Sequence, residues 1–221
     1  MALDAVFERF VHHSPLPVMA RLLMQRALSP EWLDGLFEQH RQRQYTRELL
    51  FSTEVDLMAL VALGLRPSLH AAAQATDALK VSMQALYEKV NHTEPRVVRE
   101  LVQGCAARLM PVQEQLKLQQ PSWAAGYRVR VLDGNHLAAS QKRLKPLRGF
   151  RGAALPGQSL VVYAPEWDLV VDMVPAEDAH AQERALMGPV LERVRAGELW
   201  LADRNFSTTR ILCQGPGSWT A

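Results

Sequence analysis

Apolar positions recur at helical spacing through the first half of the chain and at strand spacing through the second. After the Pro15/Pro17 break, Leu16, Met19, Leu22 and Leu23 share one side of a segment. Ser29-Pro30 supplies an N-cap and a first-turn proline for a short helix striped by Leu33, Leu36 and Phe37. Thr46 can cap a longer helix carrying Leu49, Leu50, Val55, Leu57, Leu60 and Val61; Gly64 ends it, and Arg66-Pro67 forces an extended step. Residues 68–78 and 82–91 read as two short helices, each with a serine N-cap, joined tightly enough for a helix-turn-helix. The second would present Ser82, Gln84, Tyr87, Lys89 and Asn91, polar positions of the kind that reach base edges in a major groove. Any two adjacent short helices read the same way, so the pattern alone does not require DNA. Thr93 and Pro95 open one more helix through Val98, Leu101, Val102 and Leu109, which Pro111 should end or kink. A polar connector then leads to a second domain, giving expected divisions at 1–120 and 127–221.

From Tyr127 the period changes to two. In YRVRVLDGNHL, Val129 and Val131 alternate with Arg128 and Arg130 before Leu132 and Asp133-Gly134. Residues 159–163 (SLVVY) and 169–174 (LVVDMV) read as a hairpin across Pro165-Glu166-Trp167-Asp168. A helix is expected from about His180 to Arg195, with Leu186, Val190, Leu191 and Val194 on its stripe and Gly197 as its C-cap. ELWLADRNF at 198–206 then repeats the strand-then-aspartate pattern, 203 − 133 = 70 residues after the first. Three strands of a meander and a crossover to a fourth beside the first would bring Asp133 and Asp203 together.

Composition narrows the class without choosing it. Hydrophobic content of 48% and charged content of 22% suit a globular domain. No apolar run approaches the roughly 20 residues of a membrane span, and MALDAVFERF lacks the features of a signal peptide. Cys105 and Cys213 lie far apart without metal-ligand spacing, as expected for a reducing cytoplasm. A net charge of +2 implies no nucleic acid by itself. Its distribution is more informative: Arg128, Arg130, Lys142, Arg143, Lys145, Arg148 and Arg151 fall in one stretch with Asp133 as the lone acid. Such a cluster can neutralise several phosphates, or simply be a solvated loop.

The two aspartates suggest the chemistry. Metal-assisted phosphodiester cleavage uses divalent ions about 3.5–4 Å apart. Hard Mg²⁺ takes one or two carboxylates together with phosphate and water, and adjacent strand ends hold carboxylates rigidly. Taken singly, Asp133-Gly134 is also a common turn dipeptide, and Asp203 could cap a following helix or pair with Arg204.

DGNHL at 133–137, QKRLKPLRG at 141–149, PGQSLVVY at 156–163, EDAHAQER at 177–184 and ADRNF at 202–206 resemble the insertion-sequence-four-like bacterial DDE transposases. QYTRELLFSTEVDLMALV at 44–61 and RPSLHAAAQ at 66–74 resemble that group's helical N-terminal region. The resemblance implies an α+β chain: a helical DNA-binding region followed by an incomplete ribonuclease H-like α/β domain. It implies Asp133 and Asp203 as catalytic and metal-binding residues for Mg²⁺ or Mn²⁺, with Arg204, Asn205 and Phe206 completing the second motif and Arg204 and Asn205 facing DNA. The expected partner is double-stranded DNA, both element ends and target, in a bacterial cytoplasm, with no small-molecule substrate or membrane and with self-association left open. The family's third acid is a glutamate on a later helix. Only 18 residues follow Asp203 (221 − 203) and none is acidic, so a truncated and inactive transposase is expected. Glu183 or His136 could instead enter a metal-dependent nuclease site, while Glu177 and Asp178 equally suit a helix N-terminus. A non-catalytic DNA-binding regulator of transposition is the third reading.

Overall fold

Leu33, Leu36 and Phe37, the stripe read from the sequence, form the buried side of a helix in a computed structural model that describes residues 15–44, 46, 48–76, 79, 81–136, 158–176 and 182–206. The chain divides into two compact units, Met1–Val97 and Val98–Ala221. The first contains α1 (Pro15–Ala27), α2 (Pro30–His40), α3 (Phe51–Ala62), α4 (Leu69–Gln74) and α5 (Met83–Asn91). Phe37 of α2 stacks on Phe51 of α3 with ring centroids 5.2 Å apart. Leu57, Ala72, Ala73 and Leu86 pack α3, α4 and α5 into one apolar cluster. Burying a leucine such as Leu86 contributes about 2 kcal/mol, and this shared burial holds such short helices in place.

Local signals succeed at some helix ends and are overridden at others. Ser68 and Ser82 accept hydrogen bonds from the Ala71 and Ala85 amides at 3.2 Å, as N-caps should. Gly64 takes φ +69 just past α3, the left-handed conformation that glycine adopts without a Cβ penalty. Thr46 does not cap α3: the helix begins at Phe51, and Thr46 donates to Glu38 Oε1 at 2.5 Å. The start of α3 is bound from a distance, with the Ser52 amide and hydroxyl both donating to Asp34 at 2.9 Å. A tertiary partner has replaced the local cap.

The interior of this unit holds a buried carboxyl group. Glu54 is 4% exposed, with Oε1 receiving the Thr93 hydroxyl at 2.6 Å and Oε2 without a hydrogen-bond partner. Burial raises its pKa above the ordinary 4.5, against the Thr93 hydrogen bond and the Lys89 charge, which lower it. The folded state therefore holds this proton more tightly than the unfolded chain, and the Glu54 contribution to stability falls as pH rises from 4.5 through the raised value. Denaturant midpoints measured across that range should show this decline, and Glu54→Gln should flatten it; an unchanged slope would contradict the burial account.

The second unit takes most of the long α6 (Pro95–Gln115). Pro111 was expected to end or kink this helix, yet the helix continues through it to Gln115. Proline removes one amide donor, and the final turn is closed beyond it by Leu116 and Leu118 donating to Val112 and Gln113. Four strands follow: β1 (Arg128–His136), β2 (Gln158–Ala164), β3 (Leu169–Pro175) and β4 (Glu198–Ala202), in the order β3-β2-β1-β4. The first three form an antiparallel meander, and β4 joins β1 in parallel. The chain is thus mixed α/β, helices first and then a mixed sheet. Between β3 and β4 lie a 3₁₀ turn (Glu183–Leu186) and the short α7 (Met187–Leu191), in place of the single helix expected over 180–195. Gly188-Pro189 explains the interruption: Pro189 has no amide for the preceding turn, and its carbonyl receives Arg99 instead.

One sheet face is covered by a core of Leu132, Leu160, Val162, Val174, Met187, Val190 and Phe206. Beside it Arg99 of α6 holds Asp172 of β3 bidentately at 2.8 and 2.7 Å, and Gln103 adds a third bond at 2.6 Å. This network ties α6 to the edge strand.

Candidate functional site at the ends of β1 and β4

The parallel ladder of β1 and β4 fixes where the two aspartates fall. Arg128 pairs with Glu198, and the register runs to Leu132 with Ala202, a constant offset of 202 − 132 = 70. Asp133 and Asp203 share that offset (203 − 133 = 70) and are the next residues along. Neighbouring strands lie about 4.8 Å apart, so the aspartates leave the ladder side by side. Asp133 was expected at a strand end. The structure corrects this: β1 continues to His136, because Asp133 to His136 still pair antiparallel with Val161 to Gln158 of β2. Asp133 thus sits where β1 parts from β4 while remaining anchored to β2.

Both carboxylates are exposed and locally held. Asp133 Oδ1 accepts from the Gly134 amide at 2.8 Å. Asp203 Oδ1 accepts from the Asn205 amide at 3.3 Å, and its backbone carbonyl accepts from Phe206 at 2.9 Å, closing a 3₁₀ turn (Arg204–Phe206). Phe206 is 3% exposed in the sheet core, so the turn bearing Asp203 is nailed down by an aromatic anchor. The sequence reading treated Phe206 as a motif residue only; its burial gives it a physical task.

Glu183 stands over Gly134. A Cβ placed on Gly134 would collide with Glu183 Oε1 and lie 2.5 Å from its Cδ, so glycine is what lets the carboxyl group settle against the strand. Strand alternation turns the Gly134 position to the face opposite Asp133. No group of three His, Cys, Asp or Glu side chains suited to a metal occurs among the described residues. Because the colliding atoms end a flexible side chain, Gly134→Ala should cost no more than about 1.5 kcal/mol. A double-mutant cycle with Glu183→Ala should recover most of that loss; additive losses would show that the two positions do not interact.

The expected DNA-facing residues are dispersed. Arg128 is exposed and donates to the Ala196 carbonyl at 3.1 Å. Arg130 lies between Glu166 at 3.7 Å and Glu198 at 3.5 Å with 13% of its side chain exposed, so its charge is already balanced. Lys142, Arg143, Lys145, Arg148 and Arg151 lie outside the described residues, as does the side chain of His136. On α5, Ser82 is occupied as the N-cap, and Gln84 is exposed and donates to Glu88 Oε1 at 3.0 Å. Lys89 turns inward, its Nζ 4.0 Å from the Phe37 ring centroid, and burial lowers its pKa. Arg204 and Asn205 are exposed in the Asp203 turn. Elsewhere, burial pushes the Cys105 thiol up to about 11, which keeps it protonated at neutral pH.

Comparisons with protein-family models, with curated proteins and with solved structures gave no match. No helix among the described residues is long and apolar enough to cross a membrane.

Proposed function

We propose that this chain is a DNA-processing protein of the DDE transposase type, with a ribonuclease H-like sheet in which Asp133 and Asp203 hold a divalent metal ion. The observation that supports this most is the shared 70-residue offset, which brings the two carboxylates out of the ladder as neighbours. The residues fit Mg²⁺ or Mn²⁺ chemically: both are hard oxygen donors, both are exposed, and each uses Oδ1 for a neighbouring amide. When bound, such a metal supplies Lewis-acid activation of a phosphodiester and of an attacking hydroxyl. The chain's own part is to fix the two carboxylates: β2 anchors Asp133 and Phe206 anchors Asp203. Two carboxylates hold a divalent ion less firmly than three, so metal and DNA binding are the direct readouts. Fluorescence anisotropy with a double-stranded oligonucleotide should show affinity that falls steeply with salt; absence of binding at 20 mM salt, taken as roughly the low-salt limit, would sink the DNA assignment.

A second reading, a non-catalytic DNA-binding protein, is favoured by the α4–α5 pair, whose serine caps and exposed Gln84 and Tyr87 suit a groove-facing helix. Under it Gln84→Ala and Tyr87→Ala would weaken discrimination between DNA sequences while Asp133→Asn left binding unchanged. Equal affinity for every sequence, unaltered by either α5 substitution, would dismiss it.

A further inference from the structure

Some arginines of the second unit are matched to carboxylates, while others, Arg193 with the Gln103 side chain among them, donate to neutral groups. Arg99 is matched to Asp172, and Arg130 lies between Glu166 and Glu198. Their positive charge is cancelled at close range. Arg184 is of the second kind, and its partner lies in the Asp203 turn: its guanidinium Nη2 donates at 2.7 Å to the side-chain oxygen of Asn205, a neutral amide. Both residues are exposed, and among the described residues no carboxylate forms an ion pair with Arg184.

Position makes this more than a surface contact. Arg184 follows Glu183, which rests against Gly134, the residue after Asp133. Asn205 lies in the turn that begins at Asp203, a turn pinned by buried Phe206. The 3₁₀ turn Glu183–Leu186 therefore touches β1 beyond its ladder with β4 through one residue and the Asp203 turn through the next. A guanidinium has five N–H donors in a fixed plane that matches a phosphate. Held by an amide, it keeps its full charge and loses less freedom on binding an anion than an unrestrained side chain would.

We infer that Arg184, oriented by Asn205, is a phosphate-binding residue beside the Asp133–Asp203 pair, and that it engages a backbone phosphate of bound nucleic acid. This rests on the DNA reading above and gives a role to a residue that the EDAHAQER motif contains without assigning it one. Arg184 binds one phosphate, and Asn205 acts through Arg184 as a positioning residue.

The test uses the full chain, a 30-base-pair duplex of mixed sequence and anisotropy titrations over a salt series. Each phosphate contact contributes a slope of about −0.9 in log affinity against log salt. Arg184→Gln should make the slope shallower by about one unit and weaken low-salt binding several-fold. Asn205→Asp places a carboxylate against the same guanidinium; it should preserve thermal stability and yet reproduce the loss of slope. A merely structural Arg184 would tolerate that second change, so loss with Arg184→Gln alone would overturn the inference. Unchanged slopes in both variants, with normal wild-type binding, would also overturn it and leave the DNA reading standing. No wild-type binding at low salt would remove both together.

Discussion

Asp172→Ala should destabilise the protein by about 3 kcal/mol, measured by denaturant unfolding, because it strands a guanidinium in a largely buried place. Asp172 receives three hydrogen bonds, two from Arg99 and one from Gln103, with 6% of its side chain exposed. Removing one partner of a buried pair costs about 3–5 kcal/mol; the lower end applies because Arg99 is 18% exposed and can partly reach water. Exchanging both partners for apolar residues, Arg99→Met with Asp172→Leu, should recover most of the loss. The pH dependence has a defined sign. Burial opposes ionisation of Asp172, but the hydrogen bonds from Arg99 and Gln103 and the Arg99 charge outweigh it and hold its pKa below the ordinary 3.8. The unfolded chain therefore takes up this proton first. The stabilisation is complete above the unfolded pKa and is lost as pH falls through the lowered folded value. Wild-type stability should decline over that acidic range, and Asp172→Ala should remove this part of the decline. A loss below about 1 kcal/mol would place Asp172 among ordinary surface pairs.

Phe206→Ala should cost about 3–5 kcal/mol, the usual range for a buried aromatic truncated to a methyl group. Phe206 is 3% exposed and packs in the core formed by Leu132, Leu160 and Val190. Its effect should extend past stability, since the same residue closes the turn by donating its amide to the Asp203 carbonyl. Metal binding should weaken in Phe206→Ala even at temperatures where the protein remains folded. Phe206→Leu should retain most of both. Full metal affinity in a folded Phe206→Ala protein would show that Asp203 is positioned by something else.

These outcomes also mark what the sequence could disclose. Strand alternation marked the strands, while the expected order, a meander with a crossover to a fourth strand beside the first, came from the ribonuclease H-like arrangement; that order is the one observed. The two serine caps were legible for a similar reason: a cap is a contact between residues three apart. Long-range substitutions were not legible. Nothing near Thr46 signals that Asp34 would bind the start of α3, or that Thr46 would turn to Glu38. Gly188-Pro189 did carry a local warning against a continuous helix, and the apolar stripe around it obscured that warning. Charge pattern misled at Arg130, and strand alternation does not reveal how far the β4 leucines are exposed. Arg130 is drawn inward by Glu166 and Glu198, while Leu199 and Leu201 remain 38% and 41% exposed. Charge pattern alone marks Arg130 as a phosphate contact, and only the fold reveals the glutamates that neutralise it.

At the candidate site, the sequence located the aspartates but not what surrounds them. That Gly134 makes room for Glu183, and that Arg184 meets Asn205, depends on the chain returning between β3 and β4. Those contacts join residues with no local periodicity: Arg184 stands in the EDAHAQER motif, but nothing there signals that it meets Asn205.

The most direct test of the account is Mn²⁺ binding followed by electron paramagnetic resonance, which reports bound and free ion separately. The wild-type chain should bind Mn²⁺ with an affinity reduced at least tenfold, about 1.4 kcal/mol, by Asp133→Asn and equally by Asp203→Asn. The double variant should be little worse than either single one, since the two carboxylates serve one site. If both single variants bind Mn²⁺ as the wild type does, the aspartates do not hold the metal and the proposed metal-dependent DNA chemistry is wrong.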